Sequence, residues 1–392
     1  MNLSHGLQLA YCTNIHRGES WETTFASLKQ YALAVRDRVA AGKPYAIGLR
    51  LGADAARELS DATTLREFQR WLDRENCYVF TINGFPYGRF HGTRVKEQVY
   101  APDWTTNERV DYTNLLFDLL ARIVPPGMAG SVSTVPVSFK EFALDEAALG
   151  AARANLWRCI EHIDNVSRQS GRALHLGLEP EPLCTLETTD ELIAWFERMR
   201  ADRPGDRRID EFLGMNYDSC HLGVEYEHAR ESVAKLRGAG VKFSKIHLSN
   251  ALKVVPTAAV RAALRSFVEP VYFHQTIRRD AAGRLTRYRD LDVALAAAES
   301  TNANPESTEW RIHFHIPLHS PTTELFGNTA DHLLGVLDEV KAAPTLCQHF
   351  EMETYTWEVM PGDLKKRDVV DQLVAEYEWT LARFAERGIT PA

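Results

Sequence analysis

Four stretches of this chain end in side chains that bind metals or move protons. In ALHLGLEPEP, Leu174, Leu176 and Leu178 alternate with His175, Gly177 and Glu179. Successive side chains of a strand point to opposite faces, so the leucines turn to a covering layer and Glu179 turns the other way. The same test on LGMNYDSCH separates Leu213, Met215 and Tyr217 from Gly214, Asn216 and Asp218. On KFSKIHLSN it separates Ile246 and Leu248 from Lys245, His247 and Ser249, and on HFEMETYTW it separates Phe350 and Met352 from Glu351, Glu353 and Tyr355. Two glutamates, an aspartate and a histidine at strand ends form a ligand set suited to Mn²⁺, Mg²⁺, Co²⁺, Zn²⁺ or Fe²⁺, with positions left for substrate oxygens. A lone strand-end carboxylate is more often a helix N-cap or half of an ion pair, and the recurrence on successive strands is what argues for a centre. Glu181 and Glu351 share faces with Glu179 and Glu353 at two residues' distance, so they are the alternative ligands.

Other residues could complete such a site. HFHIPLH holds an H-x-H pair, His313 and His315, of which His315 is the candidate to line the site. Arg50 ends an apolar run behind Ala46 and Gly48, where it reaches a substrate anion or pairs with a neighbouring strand. The long polar and aromatic connection 86–104 offers Tyr87, His91 and Lys96 as a cover over substrate, and His274 with Gln275 reach toward the same mouth. Trp71, Trp157, Trp195 and Trp379 lie in helical patterns and read as core.

These side chains must be held by an alternation of short apolar runs with longer helical stretches, which implies a parallel sheet covered by helices. The candidate strands are 9–14, 46–51, 78–83, 131–135, 174–179, 213–218, 243–248, 311–317 and 349–355, one more than a (β/α)₈ TIM barrel needs. Either 311–317 or 349–355 is the eighth. A doubly wound sheet is disfavoured because no G-x-G-x-x-G or G-x-x-x-x-G-K-[ST] follows an early strand. The whole chain, 1–392, reads as one barrel domain. An insertion over 256–309 contains a hairpin that turns at Ala282 and Gly283.

With 392 residues, 45% hydrophobic and 25% charged, the chain has a sizeable core and no apolar run long enough to span a bilayer. Lys+Arg 45 against Asp+Glu 53 gives a net charge of -8, which argues against general nucleic-acid binding. The six cysteines form no C-x-x-C pair and read as reduced core thiols. No leader pattern opens the chain, and a cytoplasmic location is expected.

GLEPEP, YDSCH, KIHLSN and EMETYTW, in this order, resemble the strand ends of the xylose isomerase-like barrel superfamily, which includes sugar epimerases and endonuclease IV. With LAYCTNIHRGESW, TINGFPYGRFHG, VKEQVY, PDW, YDSCHLGVEYE, KIHLSNAL, HFHIPLH and HFEMETYTWEVMP, the chain resembles the EboE family of metabolite traffic proteins over nearly its whole length. The superfamily likeness implies a divalent-metal isomerase or epimerase. Glu179, Asp218, His247 and Glu353 match the metal ligands, and Glu179 and Glu353 also serve as acid and base. His221, three residues after Asp218, matches a substrate-binding histidine of the epimerases and a zinc ligand of the endonuclease. Asn83 and Ser133 stand near places where the endonuclease has histidines, which disfavours its trinuclear zinc site. The expected function is metabolite traffic with an epimerase-like site for a small polyol- or sugar-like metabolite, in which His221, His315, Arg50 and His91 bind substrate. The alternatives are a metal-dependent hydrolase and a non-catalytic carrier. Expected partners are the metabolite and other proteins of an export pathway, not nucleic acid or membrane.

Overall fold

The computed structural model describes residues 1–92, 94–299, 308–361 and 367–392. Eight parallel strands form the central sheet: β1 (Gln8–Tyr11), β2 (Tyr45–Arg50), β3 (Cys77–Asn83), β4 (Gly130–Thr134), β5 (Leu174–Leu178), β6 (Leu213–Asp218), β7 (Lys242–Leu248) and, late in the chain, His349–Met352. The last strand pairs with β1 on one side and β7 on the other. A parallel bridge between Cys12 and Gly48 brings the sheet close to a ring between β1 and β2. The structure is a nearly closed TIM barrel with helices between its strands.

The run 311–317 is not a barrel strand. Five shorter strands, β8 (Leu252–Val254), β9 (Thr276–Arg279), β10 (Leu285–Tyr288), β11 (Glu309–Ile312) and β12 (Gly327–Asn328), form a second, antiparallel sheet in the order β10-β9-β11-β8-β12. The eighth barrel strand, His349–Met352, is therefore β13. A period-2 pattern is the same for a strand in either sheet, so its partner is a tertiary matter. The segment after β11 crosses the barrel's mouth instead: His315 bonds the Glu353 carbonyl through Nδ1, and Ile316 N donates to Asn250 O at 3.0 Å. β9 and β10 form the hairpin, with Gly283 at φ 78° in its turn. Part of the expected insertion, 300–307, lies outside the described residues.

Several helices start where the sequence supplies caps. Asp61 accepts from Thr63 N and Thr64 N ahead of Ala62–Arg74, and Thr188 with Glu191 forms a capping box ahead of Thr189–Asp202. Their apolar faces pack on the outward strand residues, as Phe350 does on Phe384 with ring centroids 5.4 Å apart. Inside the barrel, Ala10, Ala46, Tyr78 and Phe80 cluster together. This plug leaves the strand C-termini as the reactive end. Trp71, Trp157 and Trp195 are buried in the core, and Trp379 packs against it. All six cysteines are free and buried. Among the described residues no helix is long and apolar enough to cross a membrane.

Candidate metal centre

Adjacent strands bring the four acid and histidine side chains together. Asp218 and His247 are register partners on β6 and β7. Glu179 and Glu353 each extend their strand by one residue, their amides bonding Thr134 O and Leu248 O. His247 Nδ1 lies 2.9 Å from Glu179 Oε1, 3.0 Å from Glu353 Oε2 and 3.4 Å from Asp218 Oδ2. One ligand atom from each of the four residues falls within 4.8 Å of the others, and all four residues are buried.

Three carboxylates so close together repel one another and need positive charge between them. Burial pulls His247 down, but Glu353 and Glu179 outweigh it and hold the imidazole well above its ordinary range. Glu179 Oε2 and Asp218 Oδ2 are buried without a hydrogen-bond partner in the protein. Orphaned carboxylate oxygens beside an imidazole nitrogen are a donor set that fits a hard or borderline divalent ion.

Asp218 and Glu353 are aimed by neighbours. Asp218 caps the helix Ser219–Val224, where its Oδ1 accepts from Cys220 N at 2.7 Å and His221 N at 3.0 Å, so Oδ2 is left for the centre. The capping role and the ligand geometry thus coexist in one carboxylate. Asn14 and Asn83 donate to Glu353 Oε1 at 2.7 and 3.0 Å, which turns Oε2 toward His247. Sequence reading placed Asn83 near a histidine position of the endonuclease but gave it no contact with Glu353, and it did not single out Asn14, although both end candidate barrel runs, in CTN and TIN.

The alternative glutamates lie elsewhere. Glu351 is beneath the centre, where its Oε2 accepts from Lys245 Nζ at 2.6 Å and lies 2.8 Å from His247 Nε2. Burial pushes its carboxyl up, but Lys245 and His247 hold it down at about 2. Gly48 makes room for it, since a Cβ there would fall 2.1 Å from Glu351 Oε1. Glu181 lines the cavity above the centre and accepts from Tyr100 Oη at 2.6 Å and Gln275 Nε2 at 3.3 Å. Burial raises its carboxyl to about 8.

Three histidines meet beside Asp218. His315 Nε2 lies 3.3 Å from His221 Nε2 and 3.1 Å from His313 Nε2. Their Nδ1 atoms face Pro180 O, Glu353 O and Gln275 Oε1, so each Nδ1 carries the proton and each Nε2 presents a lone pair. Burial lowers His221 to about 4 and His313 well below its ordinary value.

His221 and His313 line the cavity over the centre, and His315 stands behind them. Arg50 and His91 are not on its lining. The Arg50 guanidinium donates to Gly18 O at 2.8 Å and Gly88 O at 2.7 Å and lies 3.5 Å from Glu19, which also faces His91 Nδ1 at 3.5 Å. Both residues tie the early loops together. Of the cover residues, Lys96 reaches the cavity and Tyr87 packs on Tyr112 outside it. Gln275 supports the wall through Tyr100 and Glu181, whereas His274 Nε2 faces Glu269 at 3.1 Å.

No family model and no curated protein matches the chain, so the EboE likeness stands on its motifs alone. Solved structures do match. A xylose isomerase-like TIM-barrel protein from Mycobacterium smegmatis, in complex with magnesium, superposes with a TM-score of 0.54 at 15% identity over 99% of both chains. A D-tagatose 3-epimerase-like protein superposes at 0.52 and 10% identity over 97% of this chain and 98% of that one. For an L-ribulose 3-epimerase the values are 0.52 and 11%, over 99% and 96%. At such identities the likeness establishes the fold alone, a TIM barrel.

Proposed function

We propose that this protein is a divalent-metal-dependent isomerase or epimerase acting on a small polyol- or sugar-like metabolite. The observation that carries the reading is the buried convergence of Glu179, Asp218, His247 and Glu353 at the reactive end of the barrel, with carboxylate oxygens left unpartnered. These four residues would hold the ion, and its chemistry there is Lewis-acid polarisation of substrate oxygens, which acidifies a neighbouring carbon-bound proton. The chain's own groups then handle that proton. Glu353, anchored through Oε1 by Asn14 and Asn83, and Glu179, on the other side of His247 Nδ1, are the base and acid. Glu181, on the cavity lining with its Oε1 held by Tyr100 and Gln275, stands ready to hydrogen-bond a substrate hydroxyl.

Proton transfer through a side chain exchanges with solvent. Mn²⁺-loaded protein incubated in D₂O with free ketoses, aldoses and cyclic polyols is expected to place deuterium on carbon in at least one of them. Glu353→Gln should abolish the exchange and leave metal binding within a modest factor. Metal-loaded protein that binds a sugar without exchange would overturn the reading and favour the carrier role implied by the EboE-like motifs.

The lone pairs of His221 and His315 beside Asp218 Oδ2 favour a second reading, metal-dependent hydrolysis with a second ion on those three residues. Two tightly bound ions per chain together with phosphoester cleavage would select it. One ion per chain with carbon-bound exchange selects the isomerase.

A further inference from the structure

We propose that the substrate is a neutral polyol or hydroxy-ketone carrying an apolar aryl or alkyl substituent, with its hydroxyls on the carboxylate floor and the substituent inside an aromatic collar. The inference rests on the isomerase reading for which end of the cavity reacts.

The collar comes from separate parts of the chain. Phe85, Phe90 and Tyr100 follow β3, Tyr272 and Phe273 precede β9, and Tyr355 follows β13, all on the cavity lining. Phe90, Tyr272 and Tyr355 form a triangle with ring centroids 5.1 to 5.3 Å apart, and Phe85 meets Tyr100 edge-on at 6.1 Å. The segments are tied by backbone: Val95 N and Lys96 N both donate to Val271 O, at 2.8 and 3.0 Å.

The polar ends of these rings are engaged within the protein. Tyr272 Oη donates to Phe90 O at 2.9 Å, Tyr100 Oη donates to Glu181, and Tyr355 Oη lies 3.4 Å from His313 Nε2. The collar therefore shows carbon to its contents. Hydroxyls placed there would lose water without a replacement partner, whereas an apolar group gains by leaving water. The floor is the opposite, with Glu179, Glu353 and Glu181 as hydrogen-bonding groups. Above that floor the lining is the collar, with Val95 and Val99 beside it.

Charge argues against a phosphorylated substrate. Among the described residues Lys96 is the one lysine or arginine on the lining, and its Nζ is bonded to Asp290 and lies 5.4 Å from the Phe273 ring centroid. Arg50, the residue that sequence reading offered to an anion, has its guanidinium on loop carbonyls.

Because the substrate is unidentified, the test uses metal-chelating head groups that differ only in their tail. Acetohydroxamate, phenylacetohydroxamate and phosphonoacetohydroxamate are titrated calorimetrically into Mn²⁺-loaded protein. The phenyl compound is expected to bind at least about tenfold more tightly than acetohydroxamate, which is about 1.4 kcal/mol, and the phosphono compound no more tightly. Phe90→Ala and Phe273→Ala should each remove most of the phenyl gain and leave acetohydroxamate within about twofold, which also reports that the variant is folded. Equal affinities for the phenyl and acetyl compounds, or tightest binding by the phosphono compound, would overturn the collar while leaving the metal floor standing. No binding by any of the three would overturn the metal-floor reading, and this inference with it.

Discussion

Lys245 and Glu351 sit beneath His247 and carry charge where neither touches solvent. Their pairing makes each tolerable, and the carboxylate beside His247 Nε2 orients the ring with Nδ1 toward the other three acids. Glu351→Gln keeps the shape but leaves the Lys245 ammonium unpaired in the barrel, at a cost of roughly 3–5 kcal/mol. Divalent-ion affinity is expected to fall about 10–100-fold, the span usual for loss of an outer partner. Adding Lys245→Met should recover most of the stability without recovering the affinity, because an amide is a poorer partner than a carboxylate for the imidazole N–H. Thermal unfolding and calorimetric titration with Mn²⁺ separate the two effects; recovery of both by the double variant would show that Glu351 acts only through stability.

At the scale of elements, the second sheet is latched onto the barrel by charge. Arg287 on β10 lies 3.2 Å from Glu187 after β5 and bonds Glu225, which is buried. Burial pushes Glu225 up, so the arginine is what keeps a second carboxylate beside Glu187 acceptable. Arg287 is partly exposed, which limits the latch to roughly 1 kcal/mol. Arg287→Gln is expected to speed hydrogen exchange of the β9–β10 amides about five- to tenfold and leave the barrel strands unchanged. Exchange that stayed at the native rate would mean that backbone pairing to β11 alone holds the hairpin.

The C-terminal helix Val369–Ala385 contributes a pH dependence to the fold. Glu376 accepts from Thr354 Oγ1 at 2.7 Å and Leu318 N at 3.0 Å, and burial raises its carboxyl to about 7. Its value unfolded is the ordinary 4.5. A raised pKa means that the folded state holds the proton more tightly, so the contribution is complete below 4.5 and is lost as pH climbs through about 7. Stability should therefore fall between those values more steeply in the native protein than in Glu376→Gln, as read from urea midpoints across the range. Parallel profiles would refute the assignment.

For the whole molecule, a centre made by β5, β6, β7 and β13 couples the ion to global stability. An ion that binds the folded chain alone stabilises by about 2.7 kcal/mol at a hundredfold excess over its dissociation constant. For a domain of this size that is several degrees in the unfolding midpoint. Chelation should lower the midpoint by that amount, and Mn²⁺ should restore it. An unchanged midpoint would mean that the four ligands are balanced by their own protons.

The sequence by itself determined the strand faces and hence the inward set. Leu174, Leu176 and Leu178 against Glu179, and Phe350 and Met352 against Glu353, are statements about period 2, which any strand obeys. Only the tertiary structure decided which strands are neighbours. That choice removed 311–317 from the barrel, put Glu351 on Lys245 rather than on the ligand ring, and turned Arg50 and His91 to Glu19 and the loop carbonyls. Periodicity gives the face of a residue but not its height along the barrel axis, and two residues along a strand decide whether a glutamate joins the ligands or supports them from below. The contacts of Asn14 and Asn83 with Glu353, and the aromatic collar, were beyond local pattern for the same reason. Each belongs to a contact between segments far apart in the chain, set by barrel closure rather than by neighbouring residues.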